Sequence, residues 1–336
     1  MKTKTTAILG AAALALIAGA ASAGDLACLI TKNNTNPFFV KMKEGAEAAA
    51  TAAGLDFQAY AGEKDGDAAP QITAIENCVA AGAKGILITP SNDSVGPALK
   101  AARAAGILVI ALDTPLADGE AQDITFATDN FEAGLLIGKW AAATMGDTSG
   151  AKIAMLDINK DNISVDVARD TGFLVGFGIE VPDLTVMGSE TDARVIGHES
   201  SDANPEGGLR AMETLLAKDP DINVIYTINE PAAEGAFQAM KNAGKEAQAI
   251  IVSVDGGCPG VASVKSGVIG ATSQQYPLKM AGLGIDAIAA FAKDGTKPAV
   301  TEGLSFYNTG VNLVTDKPAE GVPSIDTTEG TALCWG

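Results

Sequence analysis

The sequence predicts an α/β protein built as two doubly wound parallel-sheet (Rossmann-like) lobes joined by a hinge, and three observations carry that expectation. From Leu26 onward, short β-branched runs alternate with Ala-rich stretches of helical period, as βαβ units require. The alternation starts afresh near Ala151, so the pattern occurs twice. Five apolar runs end on a hydrogen-bonding side chain: VIALD at Asp113, IAMLD at Asp157, VIYTIN at Asn229, IIVSVD at Asp255 and GATSQQ at Gln275. In open parallel sheets the loops beyond the carboxyl ends of the strands line the ligand crevice, so polar groups placed there are expected to converge.

Taken in order, the chain opens with Lys2 and Lys4, an apolar stretch from Ala7 to Ala20, and Ala21-Ser22-Ala23, the small-residue pattern that signal peptidase cuts. Residues 1–23 are therefore expected to be a signal peptide; the apolar stretch is short of the roughly 20 residues a membrane span takes. In the first half the strands are expected at 26–31, 55–61, 85–90, 107–113 and 124–129. Helices fill the gaps at 38–53, 70–81, 95–105 and 131–145, several of them closed by a glycine such as Gly54, Gly82 or Gly106. The second series runs through AKIAMLD, VIGHES, NVIYTIN, AIIVSVD and GATSQQ. The expected division is 24–128 plus 276–309 for the N-terminal lobe and 129–275 plus 310–336 for the C-terminal lobe. No Pro-rich or low-complexity linker separates them, so short crossings and a rigid hinge are expected.

A formal net charge of −18 over 336 residues repels nucleic acid and anionic lipid, so neither is an expected partner. An oxidising compartment permits the four cysteines to pair in three ways. Cys258 with Cys334 is the preferred bridge, because a loose tail gains most from being tied to a loop. Cys28 and Cys78 fall on core-facing elements, where a bridge and two buried thiols are both open. No metal is expected: there is no C-x-x-C spacing, and His198 is the sole histidine.

A neutral polyol offers hydroxyls that donate and accept, plus apolar C–H faces, so its site needs carboxylates, amides, a guanidinium and an aromatic wall. Asp113 and Asp255 can each accept two hydroxyl hydrogens, Arg169 can donate, and Asn36, Asn229 and Gln275 can do both. Phe38 and Phe39 follow Pro37 at a helix start, where one packs inward and the other can stack. Duller roles compete: Asp113 and Asp255 as helix caps, Arg169 in a surface ion pair, and Asp157 as a structural group, which is favoured over a cleft role. Catalysis is poorly supported. His198 has no nucleophile motif to serve, which favours a surface or sheet-edge role, and scattered carboxylates are weak evidence for glycoside hydrolysis. No G-x-G-x-x-G follows the first strand and no G-x-x-x-x-G-K-[ST] occurs, so no nucleotide cofactor is expected.

NNTNPFFVKMKEGAE, GILITPSN, VIALDTP, FATDN, ARDTGF, YTINEPAAEGA, VSVDGG and GATSQQYP, in that order, resemble the periplasmic sugar-binding proteins of the type I fold. The resemblance covers almost the whole chain after residue 23, and is with the ribose-binding group and more closely its fructose-binding members. It implies sugar contacts from Asn36, Phe38, Phe39, Asp113, Thr128, Arg169, Asn229, Asp255 and Gln275. It further implies a periplasmic monomer that delivers an unmodified monosaccharide to an inner-membrane ABC permease, with a chemoreceptor left open as a second partner. Two departures stand out: Thr114 occupies a position where ribose binders carry arginine, and Ala203 falls where the second stacking aromatic would be. Both count against ribose, and the likeness to the fructose-binding members makes fructose the first choice of ligand, with ribose or another pentose or hexose next. The rivals are a secreted sugar-modifying enzyme and the effector domain of a LacI-like regulator, which would need a helix-turn-helix where the leader stands.

Overall fold

The computed structural model describes residues 24–336; the expected signal peptide lies outside the described residues. The chain first lays down β1 (Leu26–Thr31), α1 (Pro37–Ala53), β2 (Asp56–Ala61), α2 (Ala69–Ala80), β3 (Gly85–Ile88), α3 (Gly96–Ala104), β4 (Leu108–Leu112) and β5 (Ile124–Ala127). A second series follows: α4 (Asn130–Met145), β6 (Ile153–Asp157), α5 (Ser164–Phe177), β7 (Val195–Ser200), α6 (Pro205–Lys218), β8 (Val224–Thr227), α7 (Glu230–Asn242), β9 (Ile250–Asp255), α8 (Cys258–Ser266) and β10 (Ala271–Gln274). It closes with α9 (Pro277–Asp294), β11 (Tyr307–Asn308), β12 (Asn312–Val314) and α10 (Thr327–Leu333).

The strands form two six-stranded sheets, ordered β11-β5-β4-β3-β1-β2 and β12-β10-β9-β8-β6-β7, parallel throughout except for β12. Helices cover both faces of each sheet, which is why the strands read as continuous apolar runs. In the first sheet Leu29, Leu87, Ile110 and Leu112 meet Met42, Ala46 and Ile285 on one face. Residues next to them in sequence, Ile30, Ile86, Ile88 and Val109, meet Ile75 and Leu99 on the other. The chain crosses between sheets three times, at 128–129, 275–276 and 309–311. These crossings are laced together: Thr309 N donates to Ala127 O at 2.8 Å, Thr128 Oγ1 to Gly310 O at 3.3 Å, and Asn312 Nδ2 to the Tyr276 hydroxyl at 2.6 Å.

Both disulfides form. Cys28–Cys78 pins β1 to α2, and Cys258–Cys334 ties the C-terminal tail to the start of α8. The last aromatic then leaves the second sheet's side: Trp335 is buried in the core cluster of the first sheet, edge-on to Phe38 with centroids 5.4 Å apart, and its Nε1 donates to Gln275 O at 2.8 Å.

Candidate functional site

The carboxyl ends of the two sheets face each other across a cleft. Its inner part is lined by Lys32, Asn36, Phe38, Phe39, Asp65 and Asp113 from the first-sheet side, and by Ile158, Val165, Arg169, Ala203, Ile228, Asn229, Asp255 and Gln275 from the second-sheet side and its crossing. Eight of the nine residues expected to contact sugar are therefore brought together. Thr128 is outside that lining; its hydroxyl is spent on Gly310 O in the neighbouring crossing. Asp157 also leaves the cleft, as its Oδ2 lies 2.9 Å from His198 Nδ1. Both sit at strand ends, but the run's last residue alternates between the two faces, and only the register decides which.

Arg169 is the centre of the arrangement and is buried rather than paired at the surface. Its Nε donates to Asn130 Oδ1 at 2.7 Å and its NH1 to Ile228 O at 3.0 Å, which fixes the guanidinium plane. So held, it stands 3.8 Å from Asp113 and 3.7 Å from Asp255, one carboxylate from each wall. α4 and α5 carry Arg169 and Asn130 and pack very closely. A Cβ on Gly134 would overlap the carbonyl oxygen of Arg169, and one on Gly172 that of Phe131, so only glycine allows the approach.

Neither Asp113 nor Asp255 caps a helix. Each instead holds a left-handed backbone, with φ of 65° and 137°. Asp113 Oδ2 accepts from Thr114 Oγ1 at 2.8 Å, and Asp255 Oδ1 accepts from Gln275 Nε2 at 2.7 Å. Burial pushes Asp255 up to about 7, with Arg169 pulling it down and Asp113 adding to the rise. Glu230, buried behind it and beside Asp255, is pushed up to about 8 even though Thr272 and the amides of Gly256 and Gly257 donate to it.

Asn36 and Asn229 serve twice, as N-caps of α1 and α7 and as cleft lining. Phe38 and Phe39 are both buried and meet edge to face at 5.4 Å, so the pair packs and lines the wall together. Three buried acceptor oxygens in the cleft, Asp65 Oδ1, Asp113 Oδ1 and Gln275 Oε1, have no hydrogen-bond partner among the described residues. Acceptors left without donors are what a ligand rich in hydroxyls satisfies. The inner cavity is small, about 30 Å³. It opens to an outer cleft of about 410 Å³ that shares Asn36, Asp65, Ala203 and Asp255 and is walled in part by Trp335 and Glu230.

Lys32, Asp65 and Trp335 were not signalled by the sequence. Lys32 ends the first apolar run just past β1 and is almost fully buried, 4.0 Å from Asp65 and 6.0 Å from the Phe39 ring centroid. Asp65 sits in GEKDGD, which reads as a solvated loop.

Two parallel-sheet lobes crossed three times by the chain, with a polar and aromatic cleft between them, define a two-lobed binding protein. The chain belongs to a particular family of these: the periplasmic binding protein domain matches residues 27–297, and the architecture is its type I fold. It is a binding protein and not an enzyme. It is 32% identical to the ribose import binding protein RbsB of Haemophilus influenzae over 84% of this chain and 91% of that one. It is 26% identical to the D-allose-binding periplasmic protein of Escherichia coli over 85% and 91%. In fold it is similar to an ABC transporter solute-binding protein from Agrobacterium vitis bound with α-D-tagatopyranose, with a TM-score of 0.76 at 20% identity, covering 93% of this chain and 99% of that one.

Proposed function

We propose that the chain is the periplasmic solute-binding component of an ABC importer and that it closes on one monosaccharide, fructose first, with ribose or another pentose or hexose next. The observation that carries this reading is the convergence, from two walls, of Asp113, Arg169 and Asp255 beside Phe38 and Phe39. Asn36, Asn229 and Gln275 complete the hydrogen-bonding set, and Thr128 acts through the crossing it braces. The names of the curated relatives keep ribose and allose among the candidates. Fructose is preferred on this chain's own departures, Thr114 beside Asp113 and Ala203 in the wall. Neither side chain adds a charge or a second stacking face, which leaves room for a ketose's extra hydroxymethyl group.

Lobe closure couples binding to delivery. Sugar held between the walls stabilises the closed form, and only that form presents both lobes in the register that an inner-membrane permease, or a chemoreceptor, would read. Export by the leader places the protein in the periplasm, where it acts as a monomer.

A thermal-shift screen over fructose, ribose, allose, xylose, glucose, galactose and inositol tests the ligand, followed by mass spectrometry of what the purified protein releases. Fructose giving the largest shift and returning intact is the expected result. A larger shift with an aldose replaces fructose, and no shift with any sugar removes the monosaccharide reading.

A further inference from the structure

We propose that Asp157, Asp170 and His198 bind a divalent transition-metal ion, Zn²⁺ by the chemistry of the donors, at a site apart from the cleft. None of the three lines either part of the cleft. His198 Nδ1 lies 2.9 Å from Asp157 Oδ2 and 3.4 Å from Asp170 Oδ2, and one donor atom from each residue falls within 4.8 Å of the others. Spacings near 3 Å are the edges of a coordination shell whose bonds are about 2.0–2.2 Å. The other ring nitrogen, Nε2, is 2.9 Å from Glu190 Oε1, the outer carboxylate that fixes a metal-bound imidazole.

The cluster lacks donors. Asp166 and Asp170 are fully buried, yet Asp157 Oδ1, Asp166 Oδ1, both oxygens of Asp170 and Glu190 Oε2 have no hydrogen-bond partner among the described residues. An imidazolium at His198 would serve Asp157 and Glu190 at 2.9 Å each and reach Asp170 Oδ2 only as an ion pair at 3.4 Å, short of a hydrogen bond. A cation seated among the three donors answers that deficit. Imidazole with carboxylates suits Zn²⁺, whereas Ca²⁺ and Mg²⁺ take oxygen shells. A cavity of about 210 Å³ lined by Asp157, His198, Asn159, Asn162 and Lys160 adjoins the cluster and leaves room for water to complete the shell. The expectation of no metal rested on the absence of C-x-x-C spacing and on the single histidine. The parallel pairing of Met155 with His198 is what draws β6, β7 and α5 residues far apart in the chain together.

The test is calorimetric titration of the purified, EDTA-treated chain with ZnSO₄ alone. One equivalent is expected, with no saturable heat from Ca²⁺ or Mg²⁺ and with visible Co²⁺ bands that Zn²⁺ displaces. His198→Gln and Asp170→Asn, checked for folding by circular dichroism, should each weaken Zn²⁺ at least about 100-fold, and Glu190→Gln about 10–100-fold. No stoichiometric Zn²⁺ binding, or binding that His198→Gln leaves intact, overturns the proposal. Should the variants not fold, the Co²⁺ spectrum of the unaltered chain decides, and absence of nitrogen-and-oxygen-site bands counts against it.

Discussion

Asp113 and Asp255 hold backbone angles that a side chain with a Cβ adopts at a cost of about 1–3 kcal/mol each. The strain aims two carboxylates from opposite walls at one guanidinium, so a neutral isostere should keep the fold and lose the grip. Asp113→Asn is expected to leave the unliganded melting temperature within about 3 °C and weaken sugar about 10–100-fold, since each hydrogen bond to a charged acceptor contributes about 1.5–3 kcal/mol against about 0.5–1.5 for a neutral one and the carboxylate can accept two. Calorimetric titration checks it, and unchanged affinity removes Asp113 from the site. Asp255 adds a pH dependence. Its carboxyl is pushed up to about 7 among Arg169, Asp113, Gln275 and Glu230, and hydroxyl donors favour its ionised form. Affinity should therefore rise as pH passes upward through 7, about tenfold from pH 6 to pH 8, and Asp255→Asn should flatten the profile. Unliganded stability runs the other way. A carboxyl whose folded value is raised holds its proton longer than in the unfolded chain, so stability falls as pH rises from about 4 toward 8. These acids were legible as strand-end residues; Lys32 and Asp65 were not, because nothing in a run of charged loop residues says which one turns inward.

At the scale of elements, the α4–α5 crossing decides where Arg169 stands. Gly134 and Gly138 on α4 lie against the backbone of Arg169, Phe173 and Phe177 on α5, and Gly172 and Gly176 on α5 against that of Phe131, Leu135 and Lys139 on α4, so the helices approach more closely than side chains would permit. Gly134→Ala should cost on the order of 1–3 kcal/mol in urea unfolding. Because the Cβ pushes on the Arg169 carbonyl, it should also weaken sugar binding although residue 134 never touches ligand. Loss of stability with full affinity would show that the crossing does not position the arginine. The alternation of strands and helices was plain in the sequence, and its periods survive in ten of the twelve strands among the described residues. β11 and β12, of two and three residues, were not legible: they are too short to carry a period, and it is the crossings that make them strands. Asp157 shows the same limit from the other side. It ends its run as the cleft acids do, yet pairing with β7 turns it toward His198.

For the whole molecule, the tail links the two lobes at the point where they must move. Cys334 is bonded to Cys258 on the second lobe, while Trp335, one residue on, is packed against Phe38 and bonded to Gln275 O beside the first. A hinge motion that closes the cleft must therefore change the surroundings of Trp335, which walls the outer cleft. The second tryptophan, Trp140, is buried in the core of the other lobe with its Nε1 donating to Lys317 O, and has no reason to respond. Sugar should thus shift the intrinsic fluorescence of the native protein, and Trp335→Phe should abolish the shift while Trp140→Phe retains it. Cys258→Ser removes the tether without touching the cleft. It should lower stability by about 2–4 kcal/mol, the typical contribution of a disulfide, and should loosen Trp335 enough that its emission already resembles the solvent-exposed state before sugar is added. If Trp335 emission were the same with and without saturating sugar in the native protein, the tail would not be part of the moving interface, and closure would have to run through the three crossings alone.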